Sequence, residues 1–204
     1  MVICRLDENG GPGAARNKGL ELVIEDDIPY IVFADADDCF FGYTSIEILH
    51  KEILKNNNDF VISKFYNDID GKITSWIEVL DCDVWLFGKM YKTNIIKENN
   101  IHFMLIPENE DVAFNLWYFL CSKKTSSILE NTYCWLYNEN SITRRNDGAY
   151  AAYCGIGLIK NLIPTFKEIF SNENIPKEKI LSSIINRFIR SYLNYKKNRK
   201  KYSK

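Results

Sequence analysis

The chain has 204 residues, 46% of them hydrophobic and 26% charged, with a formal net charge of −1. That is the composition of a globular domain with one sizeable core; the charge balance makes no electrostatic case for nucleic acid, and no apolar run approaches the length of a bilayer span. The cysteines at 4, 39, 82, 121, 134 and 154 form no CxxC pair and lie far from His50 and His102, which argues against zinc and for reduced cytosolic thiols.

In chain order, "VICRL" (residues 2–6) predicts a short strand. "GGPGAARNKGLELVIE" gives a glycine-rich turn, a proline suited to a first helical turn, and a helix from about Gly13 to Ile24. The continuous apolar run "YIVFA" predicts a fully buried strand and leads straight into Asp35, Ala36, Asp37 and Asp38. "SIEILHKEILKN" is an amphipathic helix with Ile46, Leu49, Ile53 and Leu54 on one face. "DFVISKFY" predicts the next strand, and "NDIDGKIT" a hairpin-like turn. From 76 to 106 the signals mix: a strand or bend, a short helix, then a loop to Pro107. "ENEDVAFNLWYFLCSK" predicts a helix with acids in its first turn, where the helix dipole favours them. "SSILENTYCWLYNEN" reads as two short strands around Glu130 and Asn131, and helices follow at about 148–170 and 177–198. Strands alternating with helices predict an α/β layer fold with a helical tail.

Four stretches carry chemistry. The acids 35–38 sit at the carboxyl end of a buried strand, where open α/β sheets bind ligands. Their mutual repulsion is relieved either by a divalent cation, for which oxygen ligands suit Mg²⁺ or Mn²⁺, or more plainly by serving as turn and helix-cap residues. A helix-loop-helix calcium site is disfavoured, because Phe40 stands where its sharp turn requires glycine. In "ENGGPGAARNKG", Gly10, Gly11 and Gly13 permit close backbone approach, the following helix offers free N–H groups to an anion, and Arg16 can reach a phosphate or the carboxylates. Beside the acids downstream, that turn suggests a nucleotide diphosphate. In "PENED", Glu108, Glu110 and Asp111 either cap a helix or aim a general base at a sugar hydroxyl. In "NENSITRR", Ser141, Thr143, Arg144 and Arg145 form a phosphate-contacting loop or a solvated surface.

In order and spacing, "GGPGAARNKGL", "YIVFADADD", "FGKMYKTNII", "ENEDVAFN" and "YNENSITR" resemble the family-2 glycosyltransferases of the GT-A fold, over residues 5 to 145. The resemblance implies a partial, Rossmann-like GT-A sheet with flanking helices at 1–145 and a C-terminal helical extension with a basic tail at 146–204. It implies that Asp37 is a metal ligand, that Asp35 contacts the metal or the nucleotide ribose, and that Asp38 supports both. Arg16 and Arg144 fall on the donor side, and the cofactor is Mn²⁺ or Mg²⁺. Asp111, with Glu110 beside it, supplies the base of a single inverting displacement. The donor is a nucleotide-diphosphate sugar, taken as a UDP-sugar, and the acceptor is a hydroxyl of a glycan or lipid-linked molecule in surface-glycan synthesis.

Family members open with a β-α-β section that binds nucleobase and ribose, whereas Met1 falls about where their third strand begins. That departure predicts a truncated or split enzyme whose missing strands come from a partner chain, or an inactive remnant acting as a binding module. A haloacid-dehalogenase-like phosphatase also places DxD after an apolar strand, but Cys39 stands where Thr or Val is typical, and nothing like "GGPGAARN" precedes that motif. In the tail, Ile180, Leu181, Ile184, Ile185, Phe188, Ile189, Tyr192 and Leu193 form one helical stripe beside Arg187, Arg190 and the terminal lysines. Such a helix either packs back on the domain or anchors a cytoplasmic protein peripherally to the inner face of the membrane.

Overall fold

The computed structural model describes residues 2–69, 72–76, 85–106 and 109–138, together with scattered helical positions between 177 and 196. The proposed domain boundary near 145 and most of the helical extension lie outside the described residues. The elements run α1 (Gly11–Glu25), β1 (Tyr30–Ile31), β2 (Cys39–Phe40), α2 (Ser45–Lys55), β3 (Phe60–Ile69), β4 (Lys72–Trp76), β5 (Lys89–Lys92), α3 (Thr93–Glu98), α4 (Glu110–Cys121) and β6 (Thr125–Trp135).

One mixed sheet has the order β1-β5-β3-β6-β2, with β4 pairing β3 beyond β5. β3 and β6 run parallel, and every other described pair is antiparallel. β3 is therefore the spine: its first half takes β5 on one edge, its second half takes β4, and β6 lies along the other edge.

Three expectations for strands fail. The run 30–34 is not a fully buried strand: only Tyr30 and Ile31 form β1, at the edge of the sheet, and of the five residues only Ile31 is buried. Residues 2–6 are irregular, with Val2 and Ile3 largely exposed, because no described strand offers them a ladder. β6 is one strand rather than two: the pairing with β3 slips between Ser127 and Asn131 and again between Asn131 and Tyr133, so irregular pairing on both sides of Asn131 absorbs the break without ending the strand. On α2 the buried positions are Ser45, Leu49 and Ile53, at i, i+4 and i+8, while Ile46 and Leu54 are exposed.

Helix α4 is buried on nearly every side, as its almost continuous apolar sequence requires. Phe114 lies at the centre of the main core, stacked on Phe103 with ring centroids 4.2 Å apart and edge-on to Phe33 and Tyr91. The polar groups this helix buries all find partners. Asn115 accepts from the Tyr91 hydroxyl and donates to the Trp85 carbonyl, and the Tyr118 hydroxyl donates to the carbonyls of Asp59 and Lys92. A second cluster seats α2 on Val61 and Met90, and a third packs Phe65, Phe87 and Tyr133 close to the acids at 35–38. No described helix is long and apolar enough to cross a membrane.

Candidate functional site

Helix α1 presents Gly13, Arg16, Asn17 and Leu20 at i, i+3, i+4 and i+7, one inward stripe with four different jobs. A Cβ on Gly13 would stand 2.8 Å from the Met104 carbonyl oxygen, so the close approach that this glycine permits is made by the chain's own backbone. Asn17 locks the same segment, donating to the Phe103 carbonyl at 2.9 Å and accepting from the Phe103 N–H at 2.7 Å. Leu20 enters the core.

Arg16 is thereby fixed over the Phe103 ring, and its guanidinium spans two acids. It reaches Asp35 Oδ1 at 3.0 Å and Glu110 Oε1 at 2.6 Å. Glu110 is buried, so this charge-assisted bond is what lets it stay beneath the surface. Asp35, Arg16 and Glu110, widely separated in sequence, form one ion-paired row.

The acid loop has a second anchor in β6 and the residues after it. The Tyr133 hydroxyl accepts from the Asp35 N–H and donates to Asp38 Oδ2, both at 2.9 Å. The Leu136 N–H donates to Asp38 Oδ1 at 2.9 Å, and Asn138 donates to Asp37 Oδ2 at 2.7 Å. Asp38 thus spends both oxygens on protein donors. Burial raises its carboxyl to about 6, against the opposing pull of Leu136 and Tyr133, with the charges of Asp35 and Asp37 adding to the rise. Burial also drives the Tyr133 phenol far above its ordinary value, so it remains a donor at any physiological pH.

Asp111 opens α4 beside Glu110, after Asn109 in the left-handed conformation at φ 69°. It accepts from the Val112 N–H at 2.7 Å. Burial, then the charge of Glu110, raises its carboxyl to about 6, while Arg16 and Lys89 hold it down. A carboxylate in that range is suited to taking a proton near neutral pH.

Of the residues singled out from the sequence, Arg16, Asp35 and Glu110 are in direct contact, and Asp37 and Asp38 are secured on the other side of the same loop. Arg144 lies outside the described residues. Three contributors were not foreseen. Tyr133 and Asn138 serve the acids, and Lys89, wholly buried, donates to the Trp85 carbonyl and places its charge where Asp111 feels it. Only Lys89 left a trace in the sequence, as a lysine inside the apolar run "WLFGKMY".

The sequence profile described as Glycosyl transferase family 2 matches residues 1–107. The chain belongs to that family. Poly(ribitol-phosphate) beta-glucosyltransferase of Bacillus spizizenii is 28% identical to this family member over 149 residues, covering 67% of the present chain and 23% of the relative. Among solved structures, S. aureus TarS residues 1–349 in complex with UDP-GlcNAc superposes with a TM-score of 0.67 at 19% identity, covering 90% of this chain and 55% of that one. The same TarS fragment in complex with UDP gives a TM-score of 0.53 at 16% identity, covering 91% and 62%. The fold is the GT-A-like fold of TarS. This family-2 chain spans about half of the TarS fragment and less than a quarter of the glucosyltransferase.

Proposed function

We propose that the chain is part of an inverting glycosyltransferase that moves a sugar from a UDP-sugar to an acceptor hydroxyl in surface-glycan synthesis. The observation that carries this is the Arg16 bridge: one guanidinium joins the acid loop to the first turn of α4, so the leaving-group end and the base belong to one site. The complexes of TarS with UDP-GlcNAc and UDP support a uridine nucleotide donor. The name of the Bacillus relative supports a polyol-phosphate polymer as the acceptor class.

Asp37 and Asp35 would hold Mn²⁺ or Mg²⁺. Each commits one oxygen to a protein donor, Asn138 and Arg16 respectively, leaving one apiece. Two such oxygens fit a cation that retains water and takes its other ligands from substrate phosphates. When bound, it neutralises charge gathering on the departing diphosphate. The chain's own residues do the rest. Arg16 and Asn138 aim the two ligands, Asp38 ties their loop to Tyr133 and Leu136, and the Asp111 carboxylate accepts the proton from the attacking acceptor hydroxyl.

Titrating Mn²⁺ with UDP by calorimetry tests the ligand assignment. Asp37→Ala is expected to abolish metal-dependent UDP binding, and unchanged binding would refute it. The base assignment fixes a pH profile. Asp111 must be ionised to act and its carboxyl lies at about 6. The rate constant kcat/KM should therefore level off above pH 7 and fall about tenfold per unit well below pH 6. A flat profile down to pH 5 would remove Asp111 from the role.

The tail gives one more expectation. Leu181, Ile185, Ile189, Tyr192 and Leu193 are helical and about half exposed. We place this face on an anionic membrane, assisted by the lysines at 196–204, each worth about 1 kcal/mol near such a surface. The chain should float with anionic vesicles and not with neutral ones, and deleting residues 194–204 should abolish flotation. Equal recovery on both lipids would refute the placement.

A further inference from the structure

Strands β2 and β6 bring Cys39 directly opposite Cys134. Both thiols are free, Cys39 exposed and Cys134 partly buried; burial, then the neighbouring Cys39 thiol, raises the Cys134 thiol to about 11. Opposed residues of an antiparallel pair project from the same face. A neighbouring bond sets their spacing. The Phe41 N–H donates to the Thr132 carbonyl at 3.0 Å, which makes Phe41 and Thr132 a hydrogen-bonded pair of the ladder. Pair types alternate, so Phe40 and Tyr133 form the close pair, while Cys39 and Cys134 form the wide one, with Cα atoms about 5.5 Å apart. Disulfides bridge Cα separations of about 4.4–6.8 Å. Opposed Cβ atoms of a wide pair stand about 5.5 Å apart and a disulfide needs about 3.5–4.5 Å, so joining the two sulfurs draws the strands together by about 1 Å.

We propose that Cys39 and Cys134 are a redox site: they form a reversible intrachain disulfide that staples the acid loop to β6. The other described thiols lack this arrangement, since Cys4 lies in the irregular N-terminal segment and Cys121 at the end of α4. The staple falls beside the candidate site. Asp38 precedes Cys39, and the groups that hold Asp38 flank Cys134, namely the Tyr133 hydroxyl on one side and the Leu136 N–H on the other.

A peroxide is a sufficient oxidant. The exposed Cys39 sulfur attacks the O–O bond, leaving a sulfenic acid and one water. The Cys134 sulfur then displaces the sulfenic oxygen as a second water, forming the S–S bond. Two thiols lose two electrons and two hydrogens, and one peroxide becomes two waters. A dithiol reductant restores both thiols by exchange. The crosslink does not depend on the glycosyl-transfer reading, and its detection requires no sugar transfer.

The test treats the 204-residue chain with stoichiometric hydrogen peroxide, blocks the remaining thiols, and maps crosslinks by peptide mass spectrometry. A peptide pair linking Cys39 to Cys134, lost on treatment with dithiothreitol, is expected. Hydrogen exchange at the Phe41 amide should slow by roughly tenfold in the oxidised chain, because the strand pair can no longer open locally. In Cys39→Ser, Cys134 should stay alkylatable after peroxide. The proposal is overturned by crosslinks joining other cysteines or two chains, or by sulfinic acid at Cys39 with Cys134 still a thiol. Loss of the Cys134 thiol in the serine variant, or a correct crosslink that leaves Phe41 exchange unchanged, overturns it equally.

Discussion

Replacing Asp111 with Asn is expected to remove most turnover, on the order of 10²–10⁴-fold in kcat, while affinity for metal and UDP stays near wild type. The two readouts separate because the groups do. Asp111 opens α4 and its Oδ1 accepts the Val112 N–H, whereas the proposed metal ligands sit on the loop after β1. An asparagine amide keeps an oxygen for that N–H and nearly the same volume, so the helix start survives and only the ability to take a proton is lost. Glu110 supplies the contrast. It is buried against Arg16, and Glu110→Gln weakens a charge-assisted bond, so its cost appears as lost stability and a less well-held guanidinium. Single-turnover kinetics on both variants, with donor saturating, distinguishes a base from a positioning acid. Near-normal turnover in Asp111→Asn would reduce Asp111 to a helix-opening residue.

The second large effect is in the core. Phe114→Ala should cost about 3–5 kcal/mol of unfolding free energy. The ring is fully buried, lies 4.2 Å from Phe103 at an interplanar angle of 4°, and receives the edges of Phe33 and Tyr91. Those neighbours belong to β5, the segment after β1 and the strip beneath α1, so the surrounding structure has little freedom to close on the void. Urea denaturation should show a lower midpoint with an unchanged slope. Phe114→Leu should recover much of the loss. A cost below about 1 kcal/mol for the alanine variant would mean that the site collapses freely, contrary to a core of interlocked rings.

How much of this was legible in the sequence depends on the range of the interaction. Helices α1, α2 and α4 were read within a few residues, because capping, the proline of the first turn and apolar periodicity are local signals. β3 and its turn into β4 were local too. The break read at Glu130–Asn131 corresponds to a real feature with a different meaning: polar residues there mark irregular pairing, and the partner β3 carries the strand onward. β2, with only Cys39 and Phe40, is too short to show alternation. The "VICRL" strand failed for the opposite reason, since an apolar run states a preference that only a neighbouring strand can satisfy. In the site, Asp35, Arg16 and Glu110 were singled out by type and spacing, but the bridge between them was not. The role of Tyr133 was invisible, because nothing around an aromatic residue in a strand says that its hydroxyl will meet two residues nearly a hundred positions earlier.

That distance also bears on how the protein is made. The bonds that hold the acid loop span 95 to 101 residues from Tyr133, Leu136 and Asn138, and the Arg16–Glu110 bond spans 94. At synthesis rates of about 5–20 residues per second, the acids emerge roughly 5–20 s before their partners exist. Until then Arg16, already synthesised, can pair Asp35, but Asp37 and Asp38 lack their donors and the β3–β6 pairing cannot begin. The hairpin of β3 with β4 can form early, but the candidate site is assembled last, in the step that closes the longest loop and is the slowest to form.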